Sequence, residues 1–153
     1  MKTLDIADRT WPVLTRLMNV HGKVYRATRG RIGHRFPGVP PICLIDHVGA
    51  KSGKRRTSPL LYVEDGDDVI LVASKGGYEK SPAWFYNLKA NPDTTVQIGP
   101  EIRPVHARVA TDQERERLWP MATAVYPAYD DYQARTERKI PLVVLTPRPG
   151  SVS

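Results

Sequence analysis

Short apolar runs separated by tight turns constrain the fold of this chain most strongly. Asp65-Gly66-Asp67-Asp68 and Gly99-Pro100 are too short for a crossover helix, so the runs on either side of each must pair antiparallel. A small antiparallel barrel is therefore predicted, rather than a doubly wound parallel sheet. The predicted strands are Ile42–Val48, Thr57–Glu64, Val69–Ser74, Thr94–Gly99, Ile102–Ala110 and Leu142–Leu145.

Helical signals occur between these strands and place the chain in the α+β class. A helix is predicted over Pro12–Thr28, and a short one from Ser81-Pro82 to about Ala90. Thr111-Asp112-Gln113-Glu114 indicates a capping box, and Pro127 opens a last helical segment. With 153 residues, the chain is expected to form one domain, with a helix and connector over 1–40 and a barrel over 41–147.

The positive charge is concentrated in one segment. The formal net charge is +7, yet the residues from Lys23 to Arg56 contain nine Lys and Arg against one acid, Asp46. Four of these cations lie in the six residues Lys51–Arg56, between two predicted strands and beside two glycines. This pattern predicts a cradle for a polyanion, built from backbone N–H groups and cationic heads. A solvated basic face is the alternative interpretation.

Several common sites are excluded by spacing. Gly49 and Gly53 are one residue too close for a phosphate-binding loop, and neither a GxGxxG fingerprint nor a serine-hydrolase elbow occurs. The four histidines show no paired metal spacing, so no metal is expected. The single cysteine, Cys43, lies in an apolar run typical of a buried thiol. Without a signal-peptide pattern or an apolar run long enough to span a membrane, a cytoplasmic location is expected.

Two further segments suggest a second part of the site, separate from the cation cradle. Ala73-Ser74-Lys75-Gly76-Gly77 follows a predicted strand and combines a hydroxyl, a cation and a flexible backbone. Tyr126-Pro127-Ala128-Tyr129-Asp130-Asp131-Tyr132 places Tyr129 and Tyr132 on one helix face. A solvated turn and ordinary aromatic packing are the alternatives. Together with the cation cradle, these segments fit a long cofactor that has an anionic tail and a planar ring.

Five ordered motifs resemble the deazaflavin (coenzyme F-420)-dependent nitroreductase and quinone reductase family. They span about Pro41 to Pro147. The motifs are Gly49-x-Lys51-Ser52-Gly53, Arg56-Thr57-Ser58-Pro59-Leu60, Ala73-Ser74-Lys75-Gly76-Gly77, Pro82-x-Trp84-x-x-Asn87-Leu88-Lys89-Ala90-Asn91-Pro92 and Tyr126-Pro127-x-Tyr129-x-x-Tyr132. One departure is Ala50, where many relatives carry Arg.

The resemblance implies a split β-barrel related to flavin-mononucleotide-binding oxidoreductases, with coenzyme F-420 as cofactor. By position, Lys51, Arg56 and Lys75 match cations that hold the cofactor's phosphate and polyglutamate tail. The positions implied around the deazaflavin and its attachment are Ser58, Pro59, Leu60, Ala73, Ser74, Gly76, Gly77 and Trp84, and those on the substrate side are Ser74, Tyr126, Tyr129 and Tyr132.

The implied activity is hydride transfer from reduced coenzyme F-420 to a quinone, nitroaromatic or enone, with Tyr129 donating a hydrogen bond or proton to the acceptor oxygen. Three alternatives remain open: a non-catalytic deazaflavin carrier, an enzyme that uses a true flavin, and a basic nucleic-acid-binding barrel. The last is disfavoured because the aromatic residues do not interleave with the cations. Monomer and dimer, and peripheral contact with the inner face of a membrane, are also open.

Overall fold

The computed structural model describes residues 20–30, 34, 40–77 and 80–148, and these form one seven-stranded antiparallel sheet with flanking helices. The strands pair in the order β2-β1-β5-β6-β7-β4-β3. Their bounds are β1 Ile42–Val48, β2 Arg55–Leu61, β3 Val63–Asp65, β4 Asp68–Val72, β5 Asp93–Ile98, β6 Glu101–Val109 and β7 Leu142–Pro147.

The two edges of this sheet are joined by a single residue, Tyr62. Strand β2 is at one edge and β3 at the other, yet β2 ends at Leu61 and β3 begins at Val63. Because two peptide units span at most about 7 Å, the edges must lie side by side. The sheet therefore curls on itself, which confirms the predicted antiparallel barrel. The predicted strand Thr57–Glu64 was wrong in one respect, since it is two strands that pair with different partners, β1 and β4.

Alternation along the strands separates two hydrophobic cores. On β4, Val69 and Leu71 belong to an inner core, whereas Ile70 and Val72 belong to an outer core. The inner core takes side chains from strands all round the barrel and from one helix, including Trp84 of that helix. The outer core lies beneath two C-terminal helices. Cys43 is fully buried in the inner core, as predicted, and burial raises the pKa of its thiol to about 12.

In the part of the chain that the structure describes, four α-helices flank the sheet. The described part of α1 is residues 20–27; residues 12–19 of the predicted helix lie outside the described residues, and Thr28 lies in the turn that follows α1. The bounds of the others are α2 Ala83–Ala90, α3 Asp112–Val125 and α4 Ala128–Ala134. The predicted capping box begins α3: Glu114 N donates to Thr111 Oγ1 at 3.2 Å, and Thr111 N donates to Glu114 Oε1 at 3.0 Å.

Helix α1 is held to the barrel by a buried phenol. The Tyr25 hydroxyl donates to the carbonyl oxygen of Ile42 at 2.8 Å and accepts from the backbone N–H of Gly99 at 2.8 Å. Tyr25 is fully buried, and its hydroxyl gives each of these two backbone groups a hydrogen-bond partner. Among the described helices, none is long and apolar enough to cross a membrane.

Candidate active site

The predicted cation cradle is the hairpin turn between β1 and β2. Gly49 N donates to Lys54 O at 2.9 Å and Gly53 N donates to Gly49 O at 2.9 Å, which closes the turn. Gly53 adopts a left-handed φ of 68°, which glycine reaches without a steric cost. The turn and the first two residues of β2 carry four exposed cationic side chains, Lys51, Lys54, Arg55 and Arg56. Within the described part of the chain, none of them has a carboxylate oxygen within 4.0 Å.

A cavity of about 660 Å³ adjoins this hairpin, beneath α1. Its two carboxylates already have partners. The Asp46 carboxylate accepts from Arg26 at 2.9 Å and from two threonines at 2.6 Å, and Asp93 pairs with His106 at 2.7 Å. The cavity therefore keeps a positive character suited to an anionic ligand. The cations that line it are Lys23, Arg26, Arg55, Arg56 and Arg148.

Three hydrogen bonds connect the cradle turn to helix α2 and strand β2. Ala50 N donates to Asn87 Oδ1 at 2.9 Å, Asn87 Nδ2 lies 2.9 Å from His47 Nδ1, and His47 Nε2 lies 2.9 Å from Ser58 Oγ. His47 and Asn87 are both buried. Burial, with a smaller contribution from the Arg56 guanidinium, lowers the pKa of His47 to about 4, so the imidazole is neutral near pH 7.

The inner core holds the predicted residues on the ring side of the site. Trp84 from α2 and Ala73 from the end of β4 are buried in this core, and Leu60 of β2 packs against it. Pro59 is buried as well, on the opposite face of β2 from Leu60. Leu60, Ala73 and Trp84 thus come together although they are far apart in the sequence.

A 3-10 turn, Lys75–Gly77, follows β4 and carries the predicted Ser-Lys-Gly-Gly motif. Gly77 N donates to Ser74 O at 2.9 Å, and Ser74 itself is buried. The guanidinium of Arg138 donates to the carbonyl oxygens of Ala73 at 3.3 Å and Ser74 at 2.8 Å. Arg138 therefore fixes the backbone on which Ser74 is presented.

The three predicted tyrosines form one cluster where α3 meets α4. The Tyr126 and Tyr132 hydroxyls are 3.1 Å apart, and the Tyr126 and Tyr129 rings meet edge to face at 4.9 Å between centroids. Tyr129 is 6% exposed and packs in the outer core. Burial raises the pKa values of Tyr129 and Tyr132, so both phenols keep their protons at neutral pH and can donate hydrogen bonds.

The structure brings these predicted residues together in two groups. The cradle and the ring-side residues are joined through α2, which carries both Asn87 and Trp84. The tyrosines lie across the sheet in the outer core. The Lys75–Gly77 turn connects the groups, because Ala73 enters the inner core while Gly77 lies against Tyr132.

Sequence reasoning missed three residues of this region, His47, Asn87 and Arg138. Asn87 lies within the motif from Pro82 to Pro92, and this was the available signal for a role in the site. The spacing of the histidines excluded metal binding but did not indicate a hydrogen-bonded imidazole. Within the described residues, no three His, Cys, Asp or Glu side chains cluster as metal ligands would.

Fold and site together define a split-barrel protein with a cationic hairpin beside an aromatic cluster. A family model described as F420H(2)-dependent quinone reductase matches residues 17–147. A relative from Mycobacterium tuberculosis (strain ATCC 25618 / H37Rv), named as an F420H(2)-dependent quinone reductase, is 47% identical over 135 residues, covering 86% of this chain and 91% of the relative. The chain therefore belongs to the F420H(2)-dependent quinone reductase family.

Solved structures agree with this assignment. One, described as an F420-H2 dependent reductase, is 45% identical with a TM-score of 0.64, covering 69% of this chain and 93% of that chain. Another, described as a domain-swapped dimer, is 37% identical with a TM-score of 0.66, covering 91% of this chain and 98% of that chain. The expected split β-barrel and the family resemblance are both confirmed.

Proposed function

We propose that the protein is an oxidoreductase that uses reduced coenzyme F-420 to reduce a quinone. The observation that carries this proposal is the cradle, where four exposed cations on one hairpin have no carboxylate partner among the described residues. Such a set of donors fits the acidic tail of a deazaflavin, and family membership favours this tail over other polyanions.

The anionic tail is held by Lys51 and Arg56 on the hairpin and by Lys75 on the turn after β4. Ser58 donates a hydrogen bond beside Arg56, since the two side chains share one face of β2. The apolar residues of the inner core and the Lys75–Gly77 turn exclude water on the ring side of the site. The residues assigned there are Leu60, Ala73, Ser74, Gly76, Gly77 and Trp84, and Pro59 supports β2 from its opposite face.

Bound coenzyme F-420 in its reduced form supplies a hydride to the acceptor. The chain contributes hydrogen-bond donors at the acceptor oxygen that gains negative charge. Tyr129 is assigned this role because its phenol stays protonated, and Tyr126 and Tyr132 position its ring. Ser74 orients the acceptor or the cofactor from the turn that Arg138 holds.

The acceptor is proposed to be a quinone, with nitroaromatics and enones as further substrates of the same site. An anaerobic assay of coenzyme oxidation against one member of each class tests this assignment. Tyr129→Phe is expected to lower turnover about 10- to 100-fold while changing the dissociation constant of the coenzyme less than threefold. Turnover equal to that of the wild type in Tyr129→Phe would contradict the role of Tyr129.

A non-catalytic carrier is the competing function. Stoichiometric binding of the coenzyme, without oxidation by any acceptor of the three classes, would favour it over the reductase.

A further inference from the structure

The three hydrogen bonds between Ala50, Asn87, His47 and Ser58 have a defined direction. A backbone N–H can only donate, so the Ala50 amide requires the Asn87 atom 2.9 Å away to be the amide oxygen. The other end of the Asn87 side chain is then the NH₂ group, which donates to His47 Nδ1. Nδ1 is therefore an acceptor without a proton.

The direction continues through the imidazole. A neutral histidine carries one proton, and with Nδ1 bare that proton is on Nε2. Nε2–H then donates to Ser58 Oγ, 2.9 Å away. The Ser58 oxygen is used as an acceptor, so its own O–H remains available to donate. Among the described residues, Ser58 has no other hydrogen-bond partner that would take this proton.

The Ser58 hydroxyl lies beside the cation cradle. Ser58 is half-buried and lies two residues after Arg56 on the same face of β2. Arg56, one of the cradle cations, precedes Ser58 on this face, and Leu60, which follows Ser58, packs against the inner core. An acceptor placed between the cradle and the core would meet both a guanidinium and a hydroxyl donor, which is the donor set for an anionic oxygen.

We propose that Ala50, Asn87, His47 and Ser58 form a one-way hydrogen-bond relay that directs the Ser58 hydroxyl proton at an anionic oxygen of the bound coenzyme tail. His47 and Asn87 are positioning residues in this relay, and Ser58 makes the contact. The inference rests on the proposed function for the identity of the ligand. The direction of the relay's hydrogen bonds is a property of the protein alone and can be measured without the coenzyme.

The polarity is tested first by ¹⁵N NMR of the imidazole in the free protein near pH 7. The expected result for His47 is a bare Nδ1 and a protonated Nε2. Asn87→Asp, which has nearly the same shape, replaces the donor by a carboxylate and should move the proton to Nδ1. Asn91→Asp, an exposed position after α2, adds the same charge and should leave the tautomer unchanged. A protonated Nδ1 in the wild type would overturn the relay.

The contact is tested by fluorescence titration with the coenzyme. Ser58→Ala and Asn87→Asp should each raise the dissociation constant about tenfold, the value of one hydrogen bond to a charged group. The double variant should be no weaker than the worse single variant, because both remove the same donor. Asn91→Asp should bind within twofold of the wild type. If the double variant loses the sum of the binding free energies that the two single variants lose, the relay is overturned.

A second variant keeps the test decisive if Asn87→Asp does not fold. Ser58→Thr retains a hydroxyl at the same position and should restore most of the affinity that Ser58→Ala loses. Ser58→Ala with wild-type affinity would overturn the relay and leave the proposed function intact. A wild-type protein that does not bind the coenzyme at all would instead overturn the proposed function and the ligand assigned to Ser58.

Discussion

Gly77 lies directly against the backbone of Tyr132. A Cβ atom built on Gly77 would stand 2.6 Å from the Tyr132 carbonyl oxygen, and Gly77 has a left-handed φ of 83°. The turn that follows Ser74 and the helix that carries Tyr129 and Tyr132 are therefore packed backbone to backbone, with no room for a methyl group. This contact sets the spacing between two parts of the proposed active site.

Replacing Gly77 by Ala is expected to lower the free energy of unfolding by about 3 kcal/mol. About 1 kcal/mol comes from the left-handed φ, and the rest from displacing α4. Gly66→Ala is the matched control, since Gly66 has a φ of 61° and nothing within 4 Å of its built Cβ. Urea unfolding should show a loss of only about 1 kcal/mol for this control. Equal losses in the two variants would contradict the contact.

Arg138 should be needed to hold the turn after β4. Arg138→Met leaves the carbonyl oxygens of Ala73 and Ser74 without this donor, and we expect a loss of about 2 kcal/mol in unfolding free energy. The Michaelis constant for the acceptor should also rise, because Ser74 is no longer fixed. Lys139→Met, which removes an exposed ion pair with Asp112, should lower the free energy of unfolding much less than Arg138→Met. An equal loss of unfolding free energy in Lys139→Met and Arg138→Met would contradict this role of Arg138.

The Tyr25 hydroxyl should contribute measurably to the attachment of α1. Tyr25→Phe leaves the Gly99 N–H and the Ile42 carbonyl with fewer hydrogen-bond partners in a buried location. This change is expected to lower the free energy of unfolding by about 2 kcal/mol. Tyr86→Phe changes a phenol that is 47% exposed and should have almost no effect. Thermal unfolding of the two variants compares these effects. Indistinguishable midpoint temperatures would contradict the attachment of α1 by the Tyr25 hydroxyl.

His47 should make stability depend on pH between about 4 and 6.5. Its folded pKa is lowered to about 4, chiefly by burial and also by Arg56, against a smaller opposing influence of Asp46. In this window the unfolded chain binds the proton and the folded chain does not, so stability rises with pH. The gain is present in full above pH 6.5 and is lost as pH falls toward 4.

The expected size of this contribution is up to about 3 kcal/mol. Urea unfolding across the window should show a steeper pH dependence for the wild type than for His47→Gln. A His47→Gln slope identical to that of the wild type would show that this imidazole is not buried and neutral.

Local signals were enough to predict most of the fold. Strand β1 has the bounds that were predicted from its apolar run, and the capping box at Thr111 begins α3 as expected. The break at Tyr62 was missed because strand propensity does not indicate which partner a strand pairs with. Leu61 and Val63 lie in strands that pair with β1 and β4, at opposite edges of the sheet.

The residues of the candidate site could be predicted only where they lie close together in the sequence. The four cations of the cradle lie within six residues, so their clustering was visible in the sequence. The relay joins Ala50 to Asn87 and His47 to Ser58 across 37 and 11 residues, and Arg138 reaches Ser74 across 64 residues. Such contacts depend on the barrel bringing distant segments together, which spacing alone cannot indicate.

The most direct test of the proposed activity is the rate at which the purified protein oxidises reduced coenzyme F-420 with a soluble quinone under anaerobic conditions. The wild type is expected to consume one coenzyme for each quinone reduced. Arg56→Gln, which removes a cradle cation, should raise the Michaelis constant for the coenzyme about tenfold. A wild-type protein that leaves the coenzyme reduced in the presence of quinone would contradict the proposed function.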